Sequence, residues 1–429
     1  MNLELLSPAH RIAMIMERIY ADGMTTTSGG NLSIREENGN IWITPRAVDK
    51  GTLKPEDVIQ VKPDGKVIGK HSPSVELPFH QLTYQGRPDL RAIVHAHPPA
   101  LIAFSLVRKL PDISLIPDAP SVCGEVGMAE YGLPGSDDLG EKIARVFARG
   151  CNTVMLENHG AVAGAGSLSK AFMAFETLDF CARLEIDASR IGIPKGLSPE
   201  RIKLWRSVRG SEMSELGPRS DASGEREARR EICDLVHRAC DQKLFTSTQG
   251  AFSRRLDEKS FIITPEGMDR RYLEAGDLVR VENGRREAGK MPSRSVLLHQ
   301  HVYLRHPHVN SIIIARPPSI MAFAVTGEHF ESRLIPESYI VLRHVARLPF
   351  GAVFIEPEKA AATFTQETPV AMVENDCVIA TGSSSINAFD RLEVAEYSAR
   401  AVVACRNIGT VVMIDDAQAA EIDRAFNPQ

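Results

Sequence analysis

Three histidines carry the first chemical signal in this sequence. His95 and His97 stand two apart in Leu90-Arg-Ala-Ile-Val-His95-Ala-His97-Pro98-Pro99, an apolar run that ends at a double proline. The run predicts a buried strand, and side chains two apart on a strand share a face, so both imidazoles point the same way at the strand's end. The third, His159, lies in the turn Asn158-His159-Gly160, which follows a second apolar run, Thr153-Val-Met-Leu-Glu157. Neighbouring strand ends would let the three imidazoles reach one ion, and three histidines with a position left open is the ligand set of a catalytic rather than a structural zinc site. Each has a plainer reading. A His-x-His pair on a strand is often two satisfied polar side chains, and His159 fits a turn histidine packed on its neighbours.

The elements that must position these residues are legible as pattern. Ser7 as cap, Pro8 at the first helical position and Ile12, Ile15, Met16 and Ile19 on one face predict an N-terminal helix. Strands are expected around Ile41–Ile43, Val58–Val61, Arg91–His97 and Thr153–Glu157. A last helix, capped near Ser169, carries Ala171, Phe172, Phe175, Leu178 and Leu184 at helical spacing. A strand-rich middle between helical segments predicts a layered α/β domain with a mixed sheet.

That pattern is written twice. Ile43-Thr44-Pro45 recurs 220 residues on as Ile263-Thr264-Pro265, Pro98-Pro99 recurs 219 residues on as Pro317-Pro318, and Ala171-Phe172 with Glu176 recurs 217 residues on as Ala388-Phe389 with Glu393. The small drift marks two copies of one domain, with limits expected at 1–195 and 226–429 and a linker at 196–225. Within the linker, Gly210–Gly224 is rich in Gly, Ser and charge and reads as a mobile connector, while Ser198-Pro199-Glu200 opens a short helix.

Bulk properties agree with two domains. The chain has 429 residues, 43% of them hydrophobic, and a single core rarely grows beyond ~250–300 residues. The net charge is −5 and the pI about 6.3, with no basic stripe interleaved with aromatics, so nucleic acid is not the expected partner. No run of ~20 apolar residues predicts a membrane span. Seven cysteines, an odd number and singly placed, do not form a disulfide framework, and the N-terminus does not resemble a secretory signal. A reduced, cytoplasmic protein is expected.

Taken together, Ser28-Gly-Gly-Asn31-Leu-Ser33, Ile43-Thr44-Pro45, Ser74-Val75-Glu76, His95-Ala-His97-Pro98 and Asn158-His159-Gly160 occur in the order and spacing of the class II aldolase/adducin family. The chain resembles that family throughout its first copy and, as a scaffold, in its second. The family includes sugar-phosphate aldolases, epimerases, dehydratases and some decarboxylases. The resemblance implies a three-layer α/β/α domain with a mixed sheet, present twice, and one divalent metal per chain, zinc foremost, on His95, His97 and His159. It places Glu76 on the acidic residue that coordinates the resting metal or swings away to move a proton; the plainer reading is a helix-start carboxylate. It places Gly29, Gly30, Asn31 and Ser74 on the loops that hold the substrate's phosphate or other anionic tail. A metal on neutral imidazoles keeps its charge and stabilises an enediolate as it forms, and proton transfer by a nearby carboxylate is typically worth ~10²–10⁴-fold.

Three departures from the sugar-phosphate aldolases matter. Arg46-Ala47 replaces a phosphate-binding Thr-Gly pair, Val75 replaces a serine, and Ile113–Ile116 lacks the acid tyrosine of fuculose-phosphate aldolase, for which Tyr131 is a candidate substitute. A guanidinium forks onto an anion with two parallel hydrogen bonds, so Arg46 is expected to bind the substrate's anionic group, carboxylate favoured over phosphate; a surface salt bridge is the plain alternative.

In the second copy Ser295 stands for Glu76, Ile314 for His95, Arg316 for His97, Asp376 for His159 and Ala251 for Asn31. The fold is kept and the ion lost. Arg316 and Asp376 are expected to pair across the vacated site, because a buried unpaired charge costs several kcal/mol, on the order of 3–5. His299, His301, His306 and His308 form a tempting cluster, but His299 corresponds to His80 and reads as structural. Single-domain relatives often form rings of four, so a homo-oligomer is expected, two tandem chains making a pseudo-fourfold ring. The activity expected is that of a metal-dependent lyase of the aldehyde-lyase type, acting on a small hydroxy-carbonyl substrate with a phosphate or carboxylate group. Decarboxylation, dehydration or epimerisation through the same chemistry is the near alternative. An adducin-like, non-catalytic scaffold is the distant one.

Overall fold

The computed structural model describes residues 3–426 except 209, 211 and 218–221. The first copy runs α1 (Pro8–Ala21), β1 (Asn31–Arg35), β2 (Ile41–Ile43), β3 (Ile59–Val61), β4 (Val67–Ile68), α2 (Leu77–Gly86), β5 (Ala92–Ala96), α3 (Pro99–Leu106), α4 (Ala119–Cys123), β6 (Val126–Ala129), α5 (Asp137–Ala148), β7 (Thr153–Leu156), β8 (Gly160–Ala165) and α6 (Leu168–Ile191). Ser7 caps α1 with Pro8 in its first turn, and Ile12, Ile15, Met16 and Ile19 are buried. The sheet order is β4-β3-β2-β1-β5-β8-β7-β6. Neighbours are antiparallel except β6 and β7, which are parallel, so the sheet is mixed.

Helices α2 and α5 cover one face, where Phe79, Tyr84 and Phe147 pack with Ile43, Ile93, Val154 and Val162. Helices α1 and α3 lie against the same sheet, and every residue of β5 is buried, as a central strand covered on both faces requires. The three-layer α/β/α expectation holds.

The second copy repeats this with α8 (Ser223–Asp241), β9 (Ala251–Arg255), β10 (Ser260–Ile263), β11 (Val279–Glu282), β12 (Arg285–Arg286), α9 (Val296–Arg305), β13 (Ser311–Ala315), α10 (Pro318–Thr326), α11 (Pro336–Leu342), β14 (Val345–Leu348), α12 (Pro357–Ala361), β15 (Val370–Val373), β16 (Cys377–Gly382), α13 (Ser385–Cys405) and a final α14 (Asp416–Phe426). Its sheet order, β12-β11-β10-β9-β13-β16-β15-β14, matches the first strand for strand. By its contacts the chain forms two compact units: one from residues up to Ile113 with Asp118–Arg183, the other from Ser114–Pro117 and from Leu184 onward, the division falling within α6.

The mobile-connector expectation is corrected in part. Helix α7 (Pro199–Ser207) is capped by Ser198, and Arg294 reaches back to the Trp205 and Val208 carbonyls. Beyond it, Met213 is buried in the second copy's core and Glu215 bridges to Arg286 beside β12. These described connector residues are docked; residues 211 and 218–221 of the expected connector lie outside the described residues. No helix among the described residues is long and apolar enough to cross a membrane, and the seven cysteines are unbridged.

Candidate metal centre

Strand β5 delivers His95 from its interior and His97 just past its end, and the β7–β8 turn delivers His159. In the sheet, His95 is opposite Asn31 of β1 on one side and Val162 of β8 on the other, so the turn before β8 arrives beside the β5 end. The His97 backbone N–H is held by the Met24 carbonyl. One ring nitrogen from each of His95, His97 and His159 lies within 4.8 Å of the others, and the His95 and His97 Nε2 atoms are 3.1 Å apart.

His95 donates its Nδ1–H to the Ala161 carbonyl at 2.9 Å. A carbonyl only accepts, so neutral His95 keeps the lone pair of Nε2 facing the cluster, the arrangement that outer partners of metal-binding histidines provide. Burial, reinforced by the charges of His95 and His159, pulls His97 down to about 3. Burial and His95 pull His159 down to about 4. Burial acts downward on His95 too, but Glu76 outweighs it and leaves His95 raised.

Glu76 is the N-cap residue of α2, but its side chain makes no cap hydrogen bond. Instead Oε2 lies 3.3 Å from His95 Nε2 and Oε1 lies 3.7 Å from His159 Nε2. Burial alone would raise this carboxyl; His95, His159 and the Asn31 amide outweigh it and hold it well below the usual carboxylate range. The Asn31 amide donates to Glu76 Oε2 at 2.6 Å, and its oxygen accepts from His80 Nε2 at 2.5 Å. His80 Nδ1 then faces Ser33 Oγ at 2.7 Å, and Ser33 faces the Tyr84 hydroxyl at 2.7 Å. Each proton runs in one direction along this buried chain, from Tyr84 towards Glu76, which fixes the carboxylate's position.

The donor set fits a divalent cation. Nitrogens about 2.0–2.1 Å from a tetrahedral ion sit ~3.4 Å apart, close to the 3.1 Å between the His95 and His97 Nε2 atoms. Glu76 Oε1 and His159 Nδ1 are sealed from solvent without a hydrogen-bond partner, an arrangement that costs about 1–3 kcal/mol per group unless something else satisfies it.

The remaining expected site residues divide. A Cβ on Gly29 would lie 2.7 Å from His97 Nδ1, and one on Gly30, at φ +71°, would lie 2.7 Å from the His95 carbonyl; both glycines let β1 approach the histidine strand. Asn31 is committed to Glu76 and His80. The Ser74 hydroxyl accepts the Glu76 backbone N–H at 3.3 Å. Arg46 is exposed, and its guanidinium meets no carboxylate among the described residues. Lys50 is buried and donates to the Pro45 carbonyl at 2.8 Å, bracing the loop that carries Arg46. Tyr131 is 56% exposed, and its backbone N–H is held by Glu157.

One contributor was missed from sequence. Arg108, at φ +55°, bonds Asn158 Oδ1 and lies 3.3 Å from Glu157, bracing the turn that presents His159. The second copy has Gly327 there, at φ +88°. Aligning the ends of α3 and α10, where the second copy has the left-handed C-cap Gly327, was the available signal.

In the second copy, Ala251 faces Ile314 in the register that Asn31 and His95 share. Ser295 is the α9 N-cap residue. Arg316 Nη2 lies 2.8 Å from Asp376 Oδ1, with side chains 9% and 1% exposed, so the two former ligand positions hold an ion pair. Ser253, His299 and Tyr303 keep the buried trio of Ser33, His80 and Tyr84, which bears out the structural reading of His299. Among the described residues, the first-copy histidines are the one group spaced to hold a metal.

Residues 10–186 and 230–403 match the class II aldolase and adducin N-terminal domain. The chain is 34% identical over 190 residues to the 5-deoxy-D-ribulose 1-phosphate aldolase of Bacillus thuringiensis serovar kurstaki, covering 44% of this chain and 88% of that protein. It is 32% identical over 174 residues to the 3-oxo-tetronate 4-phosphate decarboxylase of Escherichia coli K12, covering 40% of this chain and 82% of that protein. A solved L-fuculose 1-phosphate aldolase aligns at 31% identity with a TM-score of 0.42, covering 46% of this chain and 93% of its own.

Proposed function

Because the chain belongs to the class II aldolase and adducin family, we propose that its first copy is a metal-dependent aldolase-type lyase for a small hydroxy-carbonyl substrate with an anionic group. The observation that carries this reading is the convergence of three imidazole nitrogens within 4.8 Å, with a buried carboxylate 3.3 Å from one of them. A divalent cation held by His95, His97 and His159, zinc foremost, would supply Lewis-acid stabilisation of negative charge at the substrate's oxygen.

The chain's own groups do the rest. Glu76 Oε1, which carries no hydrogen bond, takes a proton from the substrate hydroxyl and returns it to carbon after the C–C bond breaks, while Asn31 holds Oε2 still. Arg46, exposed beside the loop braced by Lys50, forks onto the anionic group, with Gly29, Gly30 and Ser74 shaping the loops around it. Domain limits of 1–195 and 226–429 joined by 196–225, assembly of two tandem chains into a pseudo-fourfold ring, and a cytoplasmic location belong to the same proposal.

A second reading, decarboxylation, is favoured by Arg46 together with the absence of a phenol in Ile113–Ile116, and one of the relatives is named as a decarboxylase. The test is incubation of the zinc-supplemented chain with a panel of ketose phosphates and oxo-acid phosphates, following aldehyde and CO₂ together. Aldehyde release abolished by Glu76→Gln supports the lyase. CO₂ without aldehyde transfers the assignment to the second reading, and neither product from any substrate refutes both.

A further inference from the structure

The second copy carries polar chemistry that the first lacks, at the opposite end of β16 from Asp376. A cavity of about 300 Å³ opens there between the end of β16, the first turns of α13 and the segments holding His308, Arg343 and Glu367.

Arg391 in its wall is half-buried. One terminal nitrogen donates to the Thr381 carbonyl at 2.6 Å, while Nε is sealed from solvent and has no acceptor. No carboxylate lies within ion-pair distance of it among the described residues. A guanidinium offers five N–H groups; among the described residues the Thr381 carbonyl is the acceptor found for them, and Nε is cut off from water as well. Burial accordingly pulls Arg391 below its ordinary pKa, with Asp390 partly offsetting. Cations converge on the same place: His308 is pulled down by burial and then by His306, Arg391 and Arg255.

The first copy has none of this. Counted from Phe389 and Phe172, Arg391 corresponds to Ala174; counted from the starts of β13 and β5, His308 corresponds to Asp89. Arg343, two residues before β14, stands at φ +51° and ψ −106°, where the first copy has Gly124 at φ +65° two residues before β6. An arginine in a glycine conformation is strained. Its guanidinium bonds Asp423 at 2.6 Å, still in the cavity wall.

We propose that this cavity binds the oxyanion of a small molecule, a carboxylate or a phosphate, with Arg391 as its anchor. The open donors of Arg391 meet such a group with charge-assisted bonds, and the amide of Asn387 in the first turn of α13 lies in the same wall. Glu367 is exposed at the mouth, where water screens it, and it disfavours a second negative charge on that side. The copy that lost its ion would thus retain a ligand.

The test is isothermal titration of the full chain with inorganic phosphate and, separately, with acetate. Wild type, Arg46→Ala, Arg391→Ala and Arg391→Lys are compared, with melting temperatures recorded for each. The fold tolerates alanine at this place, since the first copy has Ala174. The expected result is saturable binding that survives Arg46→Ala, weakens about tenfold or more in Arg391→Ala, and is partly kept by Arg391→Lys, which retains charge without the fork. Tighter phosphate than acetate assigns a phosphate ester; the reverse assigns a carboxylate. Binding of neither anion by wild type, or an isotherm unchanged by Arg391→Ala in a folded chain, overturns the proposal. Should Arg391→Ala melt early, His308→Asp restores the first-copy residue and must weaken binding in the same way; unchanged binding there also overturns it.

Discussion

Removing one partner of the Arg316–Asp376 pair should expose how the second copy survives without an ion. The two side chains are 9% and 1% exposed and 2.8 Å apart, so Asp376→Ala takes the paired carboxylate from a buried guanidinium and Arg316→Ala the paired guanidinium from a buried carboxylate. Breaking such a pair costs about 3–5 kcal/mol, a large share of the ~5–15 kcal/mol that holds a domain. Asp376→Ala should fall at the lower end, because Arg316 still donates to the backbone carbonyl of residue 376. The double variant leaves a neutral gap, so its loss should fall short of the summed single losses by about 2–3 kcal/mol. The chain has two tryptophans, and Trp205 packs on Phe354 and Arg294 of the second copy. In a Trp42→Phe background, urea unfolding followed by fluorescence therefore reports that unit. Single losses under about 1 kcal/mol, or strictly additive losses, would refute the claim that the pair replaces the ion as the site's electrostatic closure.

Arg108→Gly should leave the melting temperature unchanged, since Gly327 holds the same position in the second copy, while weakening metal binding about 10–100-fold through the loosened His159 turn; equal affinity in a metal titration would assign Arg108 to the surface alone. Gly30→Ala should destabilise by at least about 1–3 kcal/mol, because its Cβ would meet the His95 carbonyl at 2.7 Å, and it should lose metal as well; a stable, metal-loaded variant would contradict the close approach. Glu396 is held up at about 7 by burial, against the backbone N–H groups of Ser319 and Ile320 and the charge of Arg400. The unfolded chain releases this proton near the ordinary value of 4.5, so the contribution is complete below that pH and is lost as pH rises through about 7. Stability should fall by up to about 1.4 kcal/mol per pH unit across that window, and Glu396→Gln should remove the slope from urea midpoints. A slope identical in both chains would contradict the raised carboxyl.

The site was legible because its chemistry follows strand geometry. The i and i+2 spacing of His95 and His97 fixes a shared face, and β5 ends where the double proline requires. The tandem copy was legible because turn residues such as Ile43-Thr44-Pro45 recur almost unshifted. Less was visible where tertiary packing overrides local preference. Strand β1 was hidden because its inward residues, Asn31 and Ser33, are polar members of the Glu76 hydrogen-bond chain, so the usual alternation is missing. Strand β8 is built of Gly, Ala and one Val, poor strand formers that fit because neighbours press close on both sides. Strand β4 is two exposed residues long, too short for any period. The connector's composition suggested mobility, whereas Met213 and Leu216, the large apolar residues on either side of the backbone pairing at Glu215, were the sign of docking. Arg108 needed the two copies to be compared position by position.

Metal content, measured by elemental analysis of the metal-supplemented chain and of His97→Ala, tests the first-copy centre most directly. One ion per wild-type chain, absent from the variant, is the predicted result. No ion in wild type, or an ion that His97→Ala keeps, would contradict the first-copy centre, and two ions per chain would contradict the closure of the second.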